Sequence, residues 1–157
     1  MRVEIVSYSD KYSKFFYDLN HNWLNEYFYV EEYDEMILKN CKEEIIDKGG
    51  YIFFALYENE VVGTMALIPR ENNVYELNKM AVKKDLRGNG IGHQLIKFII
   101  DYSVKNNFKS VILYSNTILK NSIHLYNKFG FKEIDNPDAP YKRSDIKMEL
   151  KLSNLRK

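Results

Sequence analysis

The stretch best equipped for chemistry is Arg87-Gly88-Asn89-Gly90-Ile91-Gly92, which puts three of the chain's seven glycines within five positions. Without side chains there, several backbone N–H groups can converge on one anion. A helix starting at that point adds the partial positive charge of its N-terminus. Lys83, Lys84 and Arg87 supply mobile positive charge beside it. The loop suits a diphosphate; taken alone, the same pattern also serves as a tight strand-to-helix turn. It is not the dinucleotide fingerprint, which needs an early βαβ unit and an acidic partner on a parallel strand. Nor is it a P-loop, since no Gly-Lys-Ser/Thr follows. His21, His93 and His124 lack the spacing and carboxylate company of a metal site, so solvated or capping roles and no metal are expected. Cys41 reads as a small helix-core residue with no base at a nucleophile's spacing.

A loop of this kind needs a strand that ends in it and a helix that leaves it. VYELNKMAV (74–82) has the length and alternation of such a strand, and Ile91 to Lys105 carries Ile91, Leu95, Phe98 and Tyr102 in one helical stripe. Upstream, residues 2–7 read as a first strand. Tyr12, Phe15, Phe16, Leu19 and Trp23 then mark an amphipathic helix, and a second helix runs from about Tyr33 to Lys48, closed by Gly49-Gly50. YIFFALY (51–57) and VVGTMALI (61–68) form a hairpin about Glu58-Asn59-Glu60. Downstream come a strand at 110–115, a short helix at about 119–129 stopped by Gly130, and two last strands at KEIDN and 144–150. The connection NPDAPYKR between them is irregular, and Pro69, Pro137 and Pro140 read as turn residues. The order is β-α-α-β-β-β-α-β-α-β-β, an α/β layered domain occupying 1–157 with its core at about 2–151.

Composition removes several classes. Lys+Arg 23 against Asp+Glu 22 gives +1, so no global field favours nucleic acid. With 45% hydrophobic and 29% charged residues the chain is globular, not disordered. No window reaches the ~18 apolar residues of a membrane helix, and the first residues show no signal-peptide core. With a single cysteine, a reduced cytoplasmic setting is expected.

The ordered motifs resemble the GNAT superfamily of acyl-CoA-dependent N-acetyltransferases. Its signature is a glutamine or arginine, two free positions, glycine, one free position, then glycine or alanine. Arg87, Gly90 and Gly92 fill it, after the strand ELNKMAV. SIHLYNKFGF (122–131) and the tail YKRSDIKMEL look like two further family segments. The resemblance implies a mixed, mostly antiparallel splayed sheet flanked by helices. It implies acetyl-CoA as co-substrate, with the pyrophosphate held by amides of Arg87, Gly88, Asn89, Gly90, Ile91 and Gly92. It also implies that the pantetheine arm pairs with backbone at Met80, Ala81 and Val82, whose Met80 and Val82 side chains would be core. Glu76, expected to share a face with Asn78 and Met80, would be the proton acceptor for the amine, or else a structural or substrate-binding carboxylate. Tyr126 would donate to the leaving sulfur, or else join the core. Where many members have an asparagine, this chain has Leu119, preceded by Thr117, so Asn116 or Asn121 would contact the cofactor instead.

The acceptor side is sketched by an aromatic surplus: fourteen of the aromatic residues fall within 1–57. The segment 25–35, NEYFYVEEYDE, mixes aromatics with Glu26, Glu31 and Glu32, and the resemblance places it along the acceptor cleft; a core stripe with a solvated acidic surface is the alternative. Tyr141 and Arg143, near the last strand, are expected to border that cleft. The expected acceptor is a small-molecule amine or a peptide N-terminus, attacked directly in a ternary complex, by a monomer or homodimer with neither nucleic acid nor membrane as partner. A non-catalytic acyl-CoA sensor, or a transferase with another acyl group or a hydroxyl acceptor, fits the same motifs.

Overall fold

The computed structural model describes residues 1–136 and 140–156, so the expected turn at Pro137 lies outside them. Eleven main elements follow in the expected order: β1 (Glu4–Ser7), α1 (Ser13–Tyr27), α2 (Glu32–Lys39), β2 (Tyr51–Tyr57), β3 (Glu60–Pro69), β4 (Val74–Val82), α3 (Ile91–Lys105), β5 (Ser110–Ser115), α4 (Lys120–Lys128), β6 (Lys132–Ile134) and β7 (Ile146–Lys151). The strands make one sheet in the order β1-β2-β3-β4-β5-β7-β6. Every pairing is antiparallel except β4 with β5, whose connection runs through α3.

Alternation along β2 shows how the sheet separates two apolar layers. Phe53 and Ala55 belong to the layer built with Leu95, Ile96 and Ile99 of α3 and with Tyr126 and Phe131. Ile52 and Phe54 belong to the opposite layer, with Phe16 and Leu24 of α1, Ile37 and Leu38 of α2, Cys41 and Ile45. Successive strand residues face opposite sides, so an apolar run such as YIFFALY, buried at its centre, feeds both layers. The hairpin between β2 and β3 turns on Glu58 (φ 50°) and Asn59 (φ 67°), a two-residue turn made without glycine.

The second helix is shorter than its apolar periodicity suggests. It stops at Asn40, whose backbone N–H and side-chain Nδ2 both bond the Met36 carbonyl, and the chain re-forms as a wider π-type turn at Lys42–Ile46. An asparagine that bonds local backbone competes with helix continuation. Gly50 then sits where an added Cβ would come within 2.8 Å of the Ile45 and Leu67 carbonyl oxygens, so only glycine lets the chain turn into β2.

Two departures from regularity shape the centre of the sheet. Parallel pairing of β4 with β5 covers only Val74–Glu76 against Ser110–Ile112; beyond that the strands part. β4 continues paired only to β3, and Leu113–Ser115 of β5 only to β7. Meanwhile Thr64 pairs with Ala81 but Ala66 with Asn78, so Lys79 and Met80 together oppose Met65 in a β-bulge.

Candidate active site

The parting of β4 and β5 opens a cavity of about 550 Å³. Its walls come from β4, the loop after it, the start of α3, the end of β5, α4, α1 and the segment before β7. At one end lies the glycine loop. Gly88 (φ 83°) and Gly90 (φ 81°) hold left-handed conformations, and a Cβ on either would meet nothing within 4 Å. These glycines are therefore needed for backbone geometry and for the open space before them, not for packing. Gly90 is the N-cap of α3 and no side chain caps that terminus, leaving the first N–H groups of a fifteen-residue helix aimed at the cavity end.

Of the residues expected at the cofactor end, Met80, Ala81, Val82, Arg87, Gly88, Gly90, Ile91, Gly92 and Asn121 all line the cavity. Asn89 is not among the lining residues; its Nδ2 donates to the Leu86 carbonyl and fixes the loop. The Met80 and Val82 side chains, expected as core, are half-buried, packing on the α3 layer while also lining the cavity. Arg87 is not mobile charge. Its Nε donates to the Val82 carbonyl, and Nη1 donates to both Glu26 oxygens at 3.0 Å and to the Tyr27 hydroxyl at 3.3 Å. Leu119 and Asn116 line the cavity, but Asn116 is tied to the Arg143 carbonyl, and Thr117 anchors to Asp145 through both N–H and hydroxyl.

Glu76 stands on the cavity wall at the last position of β4 that pairs with β5, and is 1% exposed. Arg70 donates Nε and Nη2 to its Oε1 at 3.0 and 2.5 Å, and Asn78 donates Nδ2 to its Oε2 at 2.6 Å. Burial pushes the carboxyl above its ordinary pKa, and Arg70 opposes that without cancelling it. The shared face of Glu76, Asn78 and Met80 does not survive. The bulge turns Lys79 to the side of Glu76 and Asn78, toward α2, and returns Met80 to the α3 side. Strict alternation along β4 cannot foresee this, because one inserted residue inverts every side chain after it.

Beside Glu76 lies a charged cluster that the sequence pattern did not reveal. Asp34, fully buried on α2, accepts from Lys79 Nζ at 2.5 Å, from Arg143 Nη1 and Nη2 at 2.7 and 2.9 Å, and from the Glu31 N–H at 3.0 Å. Burial alone would push the Asp34 carboxyl up; the Arg143 and Lys79 contacts outweigh it and hold the carboxyl below its usual range. Burial lowers the Lys79 ammonium pKa, against the pull of Asp34. The Tyr141 hydroxyl accepts from Asn78 Nδ2 at 2.8 Å and from Lys79 Nζ at 3.3 Å. Tyr141 and Arg143 thus line the cavity as expected. The acids expected to meet an amine do not: Glu26 is held by Arg87, Glu31 by Arg143, Glu32 is exposed, and none of the three lines the cavity. From α1 the lining residues are Asn20, Trp23 and Leu24, with Phe28 just after it, so the aromatic wall is smaller than the 25–35 segment suggested.

On the far wall, Tyr126 of α4 lines the cavity and packs edge-on against Phe131. Its hydroxyl makes no hydrogen bond among the described residues, and burial pushes its pKa up to about 12. His93, tilted at 50° against the Phe129 ring, and His124 also line the cavity. Among the described residues no three His, Cys, Asp or Glu are grouped to hold a metal ion, and no helix is long and apolar enough to cross a membrane.

The model of the acetyltransferase (GNAT) family matches residues 17–131, most of the chain. This protein belongs to the GNAT family. Among curated relatives, "Probable N-acetyltransferase 14" of Xenopus tropicalis is 32% identical over 83 residues, which is 52% of this chain and 40% of that protein, so the chain spans well under half of its length. A GNAT-family acetyltransferase structure from Staphylococcus aureus Mu50 superposes with TM-score 0.86 at 23% identity, covering 96% of this chain and 99% of the other. The PaiA N-acetyltransferase of Thermoplasma acidophilum, solved in complex with coenzyme A, gives TM-score 0.75 at 22% identity, covering 96% and 99%. The mostly antiparallel, centrally splayed sheet between helical layers is the GNAT fold. The signature positions Arg87, Gly90 and Gly92 lie at the cavity's glycine-loop end, within the matched span.

Proposed function

We propose that this GNAT protein moves an acetyl group from acetyl-CoA to a primary amine, on a small molecule or a peptide N-terminus, by direct attack in a ternary complex. The observation that carries this function is the opening between β4 and β5, with an uncapped, glycine-led helix N-terminus at one end and both Glu76 and Tyr126 in its lining. The residues present fit a CoA group. The open space before Gly88 and Gly90 and the free N–H groups of α3 suit a pyrophosphate, with Lys128 adding positive charge to the lining. Beyond Glu76, β4 has no β5 partner, and the Met80–Val82 stretch, whose Val82 carbonyl already accepts from Arg87, borders the opening for strand-like pairing with the pantetheine arm. Acetyl-CoA supplies the activated thioester carbonyl.

The protein's own groups then manage protons and position. An alkylamine is mostly protonated near neutral pH and must lose a proton before it can attack. Glu76 is the acceptor: it lines the cavity, and its raised pKa makes it a better base than an ordinary carboxylate. Arg70 and Asn78 fix its two oxygens so that it receives the proton in one orientation. Tyr126 keeps its proton on Oη well above neutral pH and offers it to the departing sulfur. No covalent enzyme intermediate is needed, and holding both partners in one cleft supplies much of the rate.

The test is thiol release from acetyl-CoA in the presence of amino acids, polyamines, arylalkylamines, aminoglycosides and short peptides, with CoA binding followed separately by calorimetry. Amine-dependent release with an acetylated product supports the function. Tight CoA binding without transfer to any amine would mark a sensor instead.

A further inference from the structure

Lys79 is an anomaly in backbone terms. It is a long-chain residue at φ 55°, in the middle of a strand, at the first position of a bulge opposite Met65. Bulges with a left-handed first residue ordinarily place glycine there, because a Cβ is disfavoured in that conformation. Something outside the strand must therefore offset the strain. Lys79 Nζ, in a side chain 2% exposed, reaches across to Asp34 on α2 and to the Tyr141 hydroxyl, and sits 4.5 Å from the Tyr141 ring centre. Arg143 grips both Asp34 oxygens but is shared with Glu31, so Lys79 completes the charge balance of the cluster as well. What the ion pair does uniquely is fix where the Lys79 side chain points. In the observed left-handed conformation that side chain goes to the α2 face while Met80 returns to the α3 face.

We infer that Lys79 is a positioning residue: its ion pair to Asp34 locks the β4 bulge, and the locked bulge sets the backbone of Met80–Val82 that borders the cleft. This rests on the proposed acetyl-CoA function for its consequence, but the lock itself is a property of the backbone.

Comparing K79G with K79A isolates the effect. Both remove the ammonium, and they differ by one methyl group. Glycine adopts φ 55° without strain and alanine does not. Coenzyme A affinity by calorimetry is expected to stay within about threefold of wild type for K79G and to fall about tenfold or more for K79A. Backbone ¹³C shifts of the unsubstituted neighbours 78 and 80–82, recorded without ligand, should match wild type for K79G and move for K79A. Equal behaviour of the two variants overturns the inference. If both retain the bulge, it holds itself; if both lose it, the Lys79 charge acts in some other way. A wild-type protein that binds no coenzyme A would sink the proposed function, while the shifts alone would still decide the lock. Should K79A fail to melt cooperatively, K79N against K79Q asks the same question, since asparagine tolerates the left-handed region, and equality there is equally fatal.

Discussion

Replacing Asp34 by Asn should be among the most damaging conservative changes in the molecule. Asp34 is fully buried and accepts three hydrogen bonds from two cations, Lys79 and Arg143, whose side chains are only 2% and 13% exposed. The amide keeps the size and can still accept on one atom, but it removes the single negative charge between them. Glu31, which also pairs with Arg143, leaves that residue partly compensated; Lys79 keeps only hydroxyl and ring contacts. Stranding one partner of a buried pair costs about 3–5 kcal/mol. For a chain of this length that is a fall in Tm on the order of 10 °C. The pH dependence gives the loss a signature. In wild type the Asp34 carboxyl is held below its ordinary value, so its contribution is present above the unfolded carboxylate pKa and disappears as pH falls through the folded one. The wild-type–variant gap should therefore close in acid, below about pH 4. On the alkaline side, Lys79 already has a lowered pKa, and without Asp34 it falls further. A lowered lysine costs the folded state least once it is neutral in both states, so the gap should narrow again as pH rises from 7 toward about 10. Thermal and urea melts at several pH values read this directly. A loss under about 1 kcal/mol at pH 7, or a gap indifferent to pH, would refute the view that these charges depend on one another.

Glu76→Gln removes the proposed proton acceptor while keeping the Arg70 and Asn78 neighbourhood nearly isosteric. The expected result is a rate fall of about a hundredfold or more below the amine's pKa, recovering toward alkaline pH; an unchanged pH–rate profile would show that another group takes the proton. In wild type the acid limb of that profile should lie above an ordinary carboxylate pKa, because burial raises that of Glu76. Tyr126→Phe should lower kcat roughly tenfold with little change in the acetyl-CoA KM, since the proposed role of the lost hydroxyl is at the leaving sulfur while the ring still packs on Phe131; a pure KM effect would assign it to binding. Gly90→Ala should raise the acetyl-CoA KM about tenfold and cost on the order of 1 kcal/mol of stability, measured by steady-state kinetics and melts. Gly49→Ala is its control: the same left-handed backbone and the same open surroundings, away from the cavity, so stability should fall and KM should not.

The local features of this protein were legible in its sequence because local physics writes them. The boundaries of β4, α3 and β5 follow from period and punctuation, and the glycine loop declares itself where three small residues join a strand to a helix. Gly130 marks the end of the Tyr126 helix for the same reason, with φ 98° that few other residues adopt. The apolar spacing of the second helix runs on through Asn40, but the helix ends there, with the Asn40 side chain bonded to the Met36 carbonyl. What the sequence could not declare was the company each charge keeps. Asp34 meets Lys79 and Arg143 across separations of 45 and 109 positions, and Arg87 meets Glu26 across 61. Acids that looked available to an amine were already bound to such partners. The β4 bulge is the clearest case: nothing in the strand's pattern marks a left-handed lysine, since its strain is offset by a carboxylate on another element. Residue types and spacing determined a glycine-led strand-to-helix loop on a GNAT fold; only the tertiary structure decided which charges stay free and which way β4 faces, because both depend on contacts that form when the layers close.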